Sequence, residues 1–333
     1  MDIENINLTV ACSPHIHNSA NTRDIMLDVV IALIPAMIGG VFFFGFRSLC
    51  VIAVSVAACV FFEWAYRKIM KKDTTISDCS AVVTGILLAL VCPVTIPYWT
   101  LIIGAFFAIV VVKQLFGGIG CNFLNPALAG RAFLFSYAVI MTTWVAPHTS
   151  LSLIGSNADV VTSATPMASL HQAVIPTDSI MNCLVGNIGG CIGETSVILL
   201  LAGGIYLLAR KVISVRIPLA FILTVAVVTF VFPQGGNDRL TWMCYQLSCG
   251  GLFLGAIFMA TDYATSPVTK WGQVVYGVGC GLITVFIRYF GSYAEGVSFA
   301  ILIMNITVLL LDKIGIPKRF GYVKPAKKEA ANS

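Results

Sequence analysis

Charge is what this chain has least of. Asp, Glu, Lys and Arg make up 11% of its 333 residues, against roughly 25% in ordinary soluble domains. Hydrophobic residues make up 58%, and a mean hydropathy of +0.92 is more than one buried core requires. The expected solvent for most of the chain is therefore a bilayer. Nucleic acid is excluded as a partner, because the net charge of +5 is spread over short loops and a C-terminal tail without an aromatic–basic patch. None of the eleven cysteines stands in a C-x-x-C pair, so neither a zinc site nor a local iron–sulfur loop is signalled. Most of them lie in apolar runs, where cysteine acts as a small hydrophobe. Gly117-Gly118-Ile119-Gly120 follows no strand and joins two apolar runs, so it reads as a turn with close helix packing and not as a dinucleotide loop. Residues 1–23 hold no apolar run, and no cleavable signal peptide is expected.

What the chain does have is long apolar runs, near 24–45, 48–66, 79–93, 98–116, 125–143, 193–209, 217–233, 241–261, 271–290 and 295–311. A span needs about 20 apolar residues, fewer for a half-helix that lines protein. Run 79–93 is short and stops at Cys92-Pro93, which marks it as a broken span. With the N-terminus cytoplasmic, all Lys and Arg residues except Arg47, Arg239, Arg288 and the intramembrane Arg131 fall inside, the bias the positive-inside rule requires. The expected fold is an all-α polytopic membrane protein with about ten transmembrane helices and both termini inside. Its parts are a cytoplasmic segment 1–23, a membrane half 24–143, an extracytoplasmic loop 144–192 without a single Lys or Arg, a second membrane half 193–312, and a basic tail 313–333.

Five spans before the loop and five after it force the halves into opposite orientation, as in inverted-repeat transporters. Similarity between TGILLALVCPVTIPYW (84–99) and GGLFLGAIFMATDYATSPVTKW (250–271) supports such a repeat, as does that between FGGIGCNFLNPALAGRAF (116–133) and FGSYAEGVSFAILIMN (290–305). Charges at mid-bilayer cost about 2.5–3.5 kcal/mol each on insertion scales and so face protein or water. Five are candidates: Asp28, Glu63, Arg131, Asp262 and Glu295. Glu63 and Asp262 stand near inner span ends, where Glu63 is expected to face headgroups. Arg131, about one and a half turns past Pro126, requires a buried acidic or carbonyl partner. His15 and His17 form an H-x-H pair without a third ligand, and read as part of a polar tail that contacts a partner or the membrane surface.

The long loop contains DVVTSATPMASL, residues 159–170. On spacing alone Thr165 is a helix N-cap, Pro166 the first helical residue, and Met167 to Val174 a short helix. A helix start also favours a phosphate, through its free N–H groups and dipole.

The same stretch resembles the flavinylation motif of the Rnf and Na+-pumping quinone reductase families: an acid, two variable residues, Ser or Thr, Gly or Ser, Ala, then Thr. Asp159, Thr162, Ser163 and Ala164 fill the first places, with Ser163 where the commonest form has Gly, and Thr165 fills the last. The resemblance implies flavin mononucleotide (FMN) joined to Thr165 by a phosphoester bond. It covers nearly the whole chain, through SPHIH (13–17), RDIMLDVVIALIPA (23–36), GNIGGCIGETS (186–196), FMATDYATSP (258–267) and EGVSFAILIMN (295–305). It points to the family of D subunits of Rnf ion-translocating oxidoreductase complexes. The sister family, the B subunits of the Na+-translocating NADH:quinone reductases, usually carries a longer N-terminal extension. Implied with the resemblance are electron transfer between ferredoxin and NAD+, coupling to Na+ or H+ movement, other membrane and peripheral subunits as partners, a flavin transferase to attach FMN, and a second, noncovalent riboflavin. Glu295 and Arg288, both assigned to the outer side, are expected to help line the flavin pocket. With no nicotinamide motif, ferredoxin-like cysteine run or nucleophile–base pair in the chain, its own part is to hold the flavin and relay electrons. The rival reading is a flavin-free solute channel or transporter with inverted repeats; a third is a passive scaffold.

Overall fold

Gly45 turns the chain between the two longest helices, α1 (Thr22–Phe44) and α2 (Phe46–Ile69), with a φ of +74° that a side chain would resist. The structure is a computed structural model that describes residues 21–149, 151–153, 164–194, 196–313 and 315. Eleven further helices follow: α3 (Ser80–Leu90), α4 (Tyr98–Gln114), α5 (Pro126–Met141), α6 (Pro166–His171), α7 (Ile180–Val185), α8 (Val197–Ala209), α9 (Arg216–Val231), α10 (Arg239–Ser248), α11 (Leu252–Met259), α12 (Lys270–Phe290) and α13 (Val297–Leu311). Among the described residues there is no strand, only an isolated bridge between Pro93 and Cys191.

Each apolar run read from the sequence contains helix. By length and composition α1, α2 and α12 are long enough to cross a membrane, and α10 with α11, bent by 60°, make a fourth crossing if counted as one. The other apolar helices, α3, α4, α5, α8, α9 and α13, have 10–17 residues, fewer than the about 20 a straight crossing takes. Their shortness has identifiable causes. Pro93 stops α3, and Asn125-Pro126 starts α5 late; α4 and α11 also contain π-helical turns, at Phe107–Gln114 and Gly255–Met259.

The bundle is inverted relative to a soluble protein. Ile38, Phe42, Ile205, Phe286 and Leu309 are exposed, whereas Glu63, Lys113, Arg131, Glu194 and Arg288 are buried. Outward apolar faces and inward charges suit a lipid surround.

A broken helix at membrane depth must have its freed carbonyls satisfied by protein. Here the segment 191–193 supplies α3, and α5 supplies α11. Gly193 N donates to Leu90 O at the end of α3 (2.8 Å), Ile192 N to Cys92 O (3.2 Å), and the Cys191 thiol to Val91 O (3.1 Å). At the end of α11, Asn125 Nδ2 donates to Met259 O at 3.2 Å. Asn125 is also the N-cap of α5, accepting from Ala127 N and Leu128 N.

The halves also pack directly, α1 on α8 and α5 on α13. At the first contact Gly203 lies so close to α1 that a Cβ would come within 2.1 Å of Ala32 O. Gly203→Ala therefore has to push α8 off α1, and a loss of about 1–3 kcal/mol is expected. Thermal unfolding in detergent checks this, with Gly45→Ala, strained in φ but open in space, as the comparison.

Candidate functional site

Three short segments meet at one end of the bundle. The first is α6, capped as its sequence demands: Thr165 is the N-cap, its Oγ1 accepting from Ala168 N at 3.2 Å, and Pro166 is the first helical residue. The helix ends at His171, short of the expected Val174, because Ala173 adopts φ +60°. A small core of Met167, Leu170, Cys183, Ile188, Trp242, Tyr245 and Cys249 seats α6 on α7 and α10. His171 Nδ1, 2.8 Å from the Arg288 carbonyl, ties the end of α6 to α12. Thr165 is thus buried, on a rigid seat, while Ala164 beside it is exposed. Asp159, Thr162 and Ser163 lie outside the described residues, as do His15 and His17.

The second and third segments are Ile188-Gly189-Gly190 with Glu194, and Cys249-Gly250 with Gly251. With Thr165, Pro166, Met167 and Glu295 they enclose a narrow cleft with room for about one water, of which Gly251 lies at the edge. A Cβ on Gly251 would sit 2.7 Å from Glu194 Oε1, so this position keeps the space the carboxylate occupies. Glu295 is therefore on the cleft wall with Thr165. Arg288 is not. It is buried behind Gly250, donating to Gln246 O at 2.6 Å, Gln246 Oε1 at 3.1 Å and Cys249 O at 3.3 Å, which braces the wall from behind.

At the foot of the cleft stands a buried charge cluster. Arg131 of α5 pairs with Glu295, lies 3.7 Å from Glu194 Oε1, donates to Ser298 Oγ at 2.6 Å and approaches Cys191 Sγ at 3.6 Å. The partner that the sequence required for Arg131 is thus two carboxylates, one at the start of the second half and one just before α13. Glu194 and Cys191 are site residues that sequence reasoning quoted within a motif without singling them out. The available signal was a lone acid flanked by apolar and small residues just after a loop without cations.

A second polar cluster lies at the other end. Glu63, expected to face headgroups, is instead 1% exposed and bonded to Lys113 Nζ at 2.8 Å, while Thr75 Oγ1 donates to it at 2.7 Å. The correction has a simple cause: Lys113 belongs to α4, packed beside α2, and its ammonium reaches inward, also meeting Ser80 Oγ at 2.6 Å. This cluster borders a larger cavity of about 90 Å3, lined by Ser80, Thr84, Lys113, Asn125, Asp262 and Tyr263 among others. Asp28, the remaining candidate, accepts from Tyr206 at 2.9 Å and pairs with Arg210 at 3.2 Å.

Residues 9–321 match the NQR2, RnfD, RnfE family. Among similar proteins, the D subunit of the Na+-translocating ferredoxin:NAD+ oxidoreductase complex of Acetobacterium woodii is 43% identical over 98% of each chain. The D subunit of the proton-translocating ferredoxin:NAD+ oxidoreductase complex of Clostridium ljungdahlii is 40% identical over 94% of this chain and 96% of its own. The D subunit of the ion-translocating oxidoreductase complex of Actinobacillus succinogenes is 35% identical over 93% of this chain and 97% of its own.

Proposed function

Because the chain belongs to the NQR2, RnfD, RnfE family, we propose that it is the membrane-embedded D subunit of an ion-translocating ferredoxin:NAD+ oxidoreductase complex, carrying FMN esterified to Thr165. The observation that carries the reading is the position of Thr165. The last residue of an acid-x-x-Thr-Ser-Ala-Thr pattern is a hydroxyl on the wall of a cleft that ends in a buried Arg–Glu cluster.

The residues fit the phosphate end of such a cofactor. Gly189 and Gly190 on one segment and Gly250 on another add no side chains to those parts of the cleft wall, and an esterified Thr165 oxygen can still accept from Ala168 N. The flavin supplies the redox chemistry, and the protein supplies position and electrostatics. Thr165 Oγ1 holds the group. Arg131, Glu194 and Glu295 set the charge beneath it, and Arg288 braces the wall. A covalent link suits a site at a membrane surface, where a dissociable cofactor would be lost. The charge distribution of the sequence puts this end of the bundle outside. On this reading a flavin transferase acts there, the flavin relays electrons within the complex, and the chain contributes to Na+ or H+ translocation. A second, noncovalent riboflavin within the helices is the other cofactor this reading carries.

The denatured chain, made in a host with a flavin transferase, is expected to fluoresce under ultraviolet light in a gel. Its Thr165 peptide is expected to carry the mass of FMN less water. A dark band from such a host sinks the reading and returns the chain to the flavin-free transporter class, which the larger cavity and the paired half-helices would also serve.

A further inference from the structure

Two carboxylates held close together in a buried site repel, and the usual resolution is one proton held between them. Glu194 and Glu295 are such a pair. A carboxylate oxygen of each and Cys191 Sγ all lie within 4.8 Å of one another. Glu194 is 5% exposed, and among the described residues no donor reaches its Oε1 within hydrogen-bond distance, although this oxygen points to the cleft side at Gly251.

The groups facing the pair are few. Arg131 comes from α5, and Cys191 from the segment that seals α3. Cys92 stands at the end of α3, and Arg288 lies behind Gly250 on α12. In ion-pair range Arg131 is alone against two acids, since no acid stands within salt-bridge distance of Arg288 among the described residues. A hard cation is the other way to neutralise a second carboxylate. It wants about six to eight oxygens, and this cluster offers two carboxylates and a thiol already crowded by Arg131.

We propose that Glu194 and Glu295 share one proton at the foot of the Thr165 cleft and form a proton-exchange site there. The pair joins the start of the second half to the region just before α13, so its proton also ties these two segments together. If the cleft takes a flavin as proposed above, an electron arriving in it adds negative charge close to the pair and raises its proton affinity. Each electron is then matched by uptake of up to one proton from solvent, with no bond formed to the flavin.

The proton is tested without any flavin. The full chain carrying Thr165→Ala is purified in detergent, and the infrared carbonyl band of neutral carboxylic acid is compared in H2O and D2O. Added Glu194→Gln and, separately, Glu295→Gln are expected to remove the same band, with an area equal to one carboxyl. Two substitutions, each nearly the same shape as Glu, keep the test open if one variant does not fold. An unchanged band in both variants overturns the proposal. So does a band that is lost when sodium chloride replaces choline chloride at constant pH, which would make the site a cation site. The coupling is tested on the complex whose Thr165 flavin mass has been verified. A reduced-minus-oxidised infrared difference spectrum is expected to show growth of the same band. No growth with the flavin present overturns the coupling alone, and absence of the flavin mass overturns the attachment alone.

Discussion

Thr165→Ala is expected to remove the covalent flavin completely, leaving no fluorescent band and no added mass on the peptide that spans position 165. The difficulty is that Thr165 has two jobs. Its Oγ1 caps α6, and losing an N-cap costs about 0.5–2 kcal/mol by itself. A dark Thr165→Ala band could then reflect a displaced helix. Thr165→Asn separates the two, because Asn caps as well as Thr does but has no hydroxyl to esterify. The expected order is full label for the native chain, retained label for Thr165→Ser, and none for Thr165→Asn despite unchanged thermal unfolding. Thr162→Ala, earlier in the motif, is expected to keep part of the label. A labelled Thr165→Asn chain would place the flavin on another residue. Because Thr165 is buried, attachment also has to precede the closing of α6 over the cleft or follow its transient release.

Arg131→Met is expected to be the most destabilising single change in the described bundle. It leaves Glu194 and Glu295 without their nearest cation and Ser298 Oγ without its donor. Removing one partner of a buried ion pair costs about 3–5 kcal/mol, which thermal unfolding in detergent reads as a fall in Tm. The double variant Arg131→Met, Glu295→Gln is expected to recover part of that loss, since a carboxyl left without Arg131 is then replaced by a neutral amide. If the double variant is as unstable as the sum of two independent changes, the Arg–Glu contact is not what holds α5 to the segment before α13. Arg131→Lys is a poor substitute, because a single ammonium cannot reach Ser298 and the carboxylates in the same forked geometry.

These expectations rest on features that were legible to different degrees. The capping of α6 was readable because N-cap and Pro-N1 chemistry is local: Thr165 and Pro166 are adjacent, and nothing distant is needed to place them. The demand of Arg131 for a buried acidic or carbonyl partner was readable because a charge at membrane depth has to be compensated. Which acid was not, since Glu194 and Glu295 both come from the far side of the long loop, Glu295 from 164 residues away. Glu63 shows the opposite error. Its place near a helix end suggested headgroups, and only the packing of α4 on α2 brought Lys113 to it.

By itself, then, the sequence determined the class of molecule, the helical runs, the family, and the hydroxyl proposed to carry the flavin. The first two follow from composition and the lengths of the apolar runs, and the last two from the family resemblance that contiguous motifs carry. Tertiary structure decided how the interrupted helices are completed, with the segment at 191–193 closing α3 and Asn125 closing α11, and which charges share a buried site. The physical reason is the same in both cases. A backbone carbonyl or a carboxylate taken out of water must find a partner somewhere in the protein, and only the assembled bundle says where that partner is.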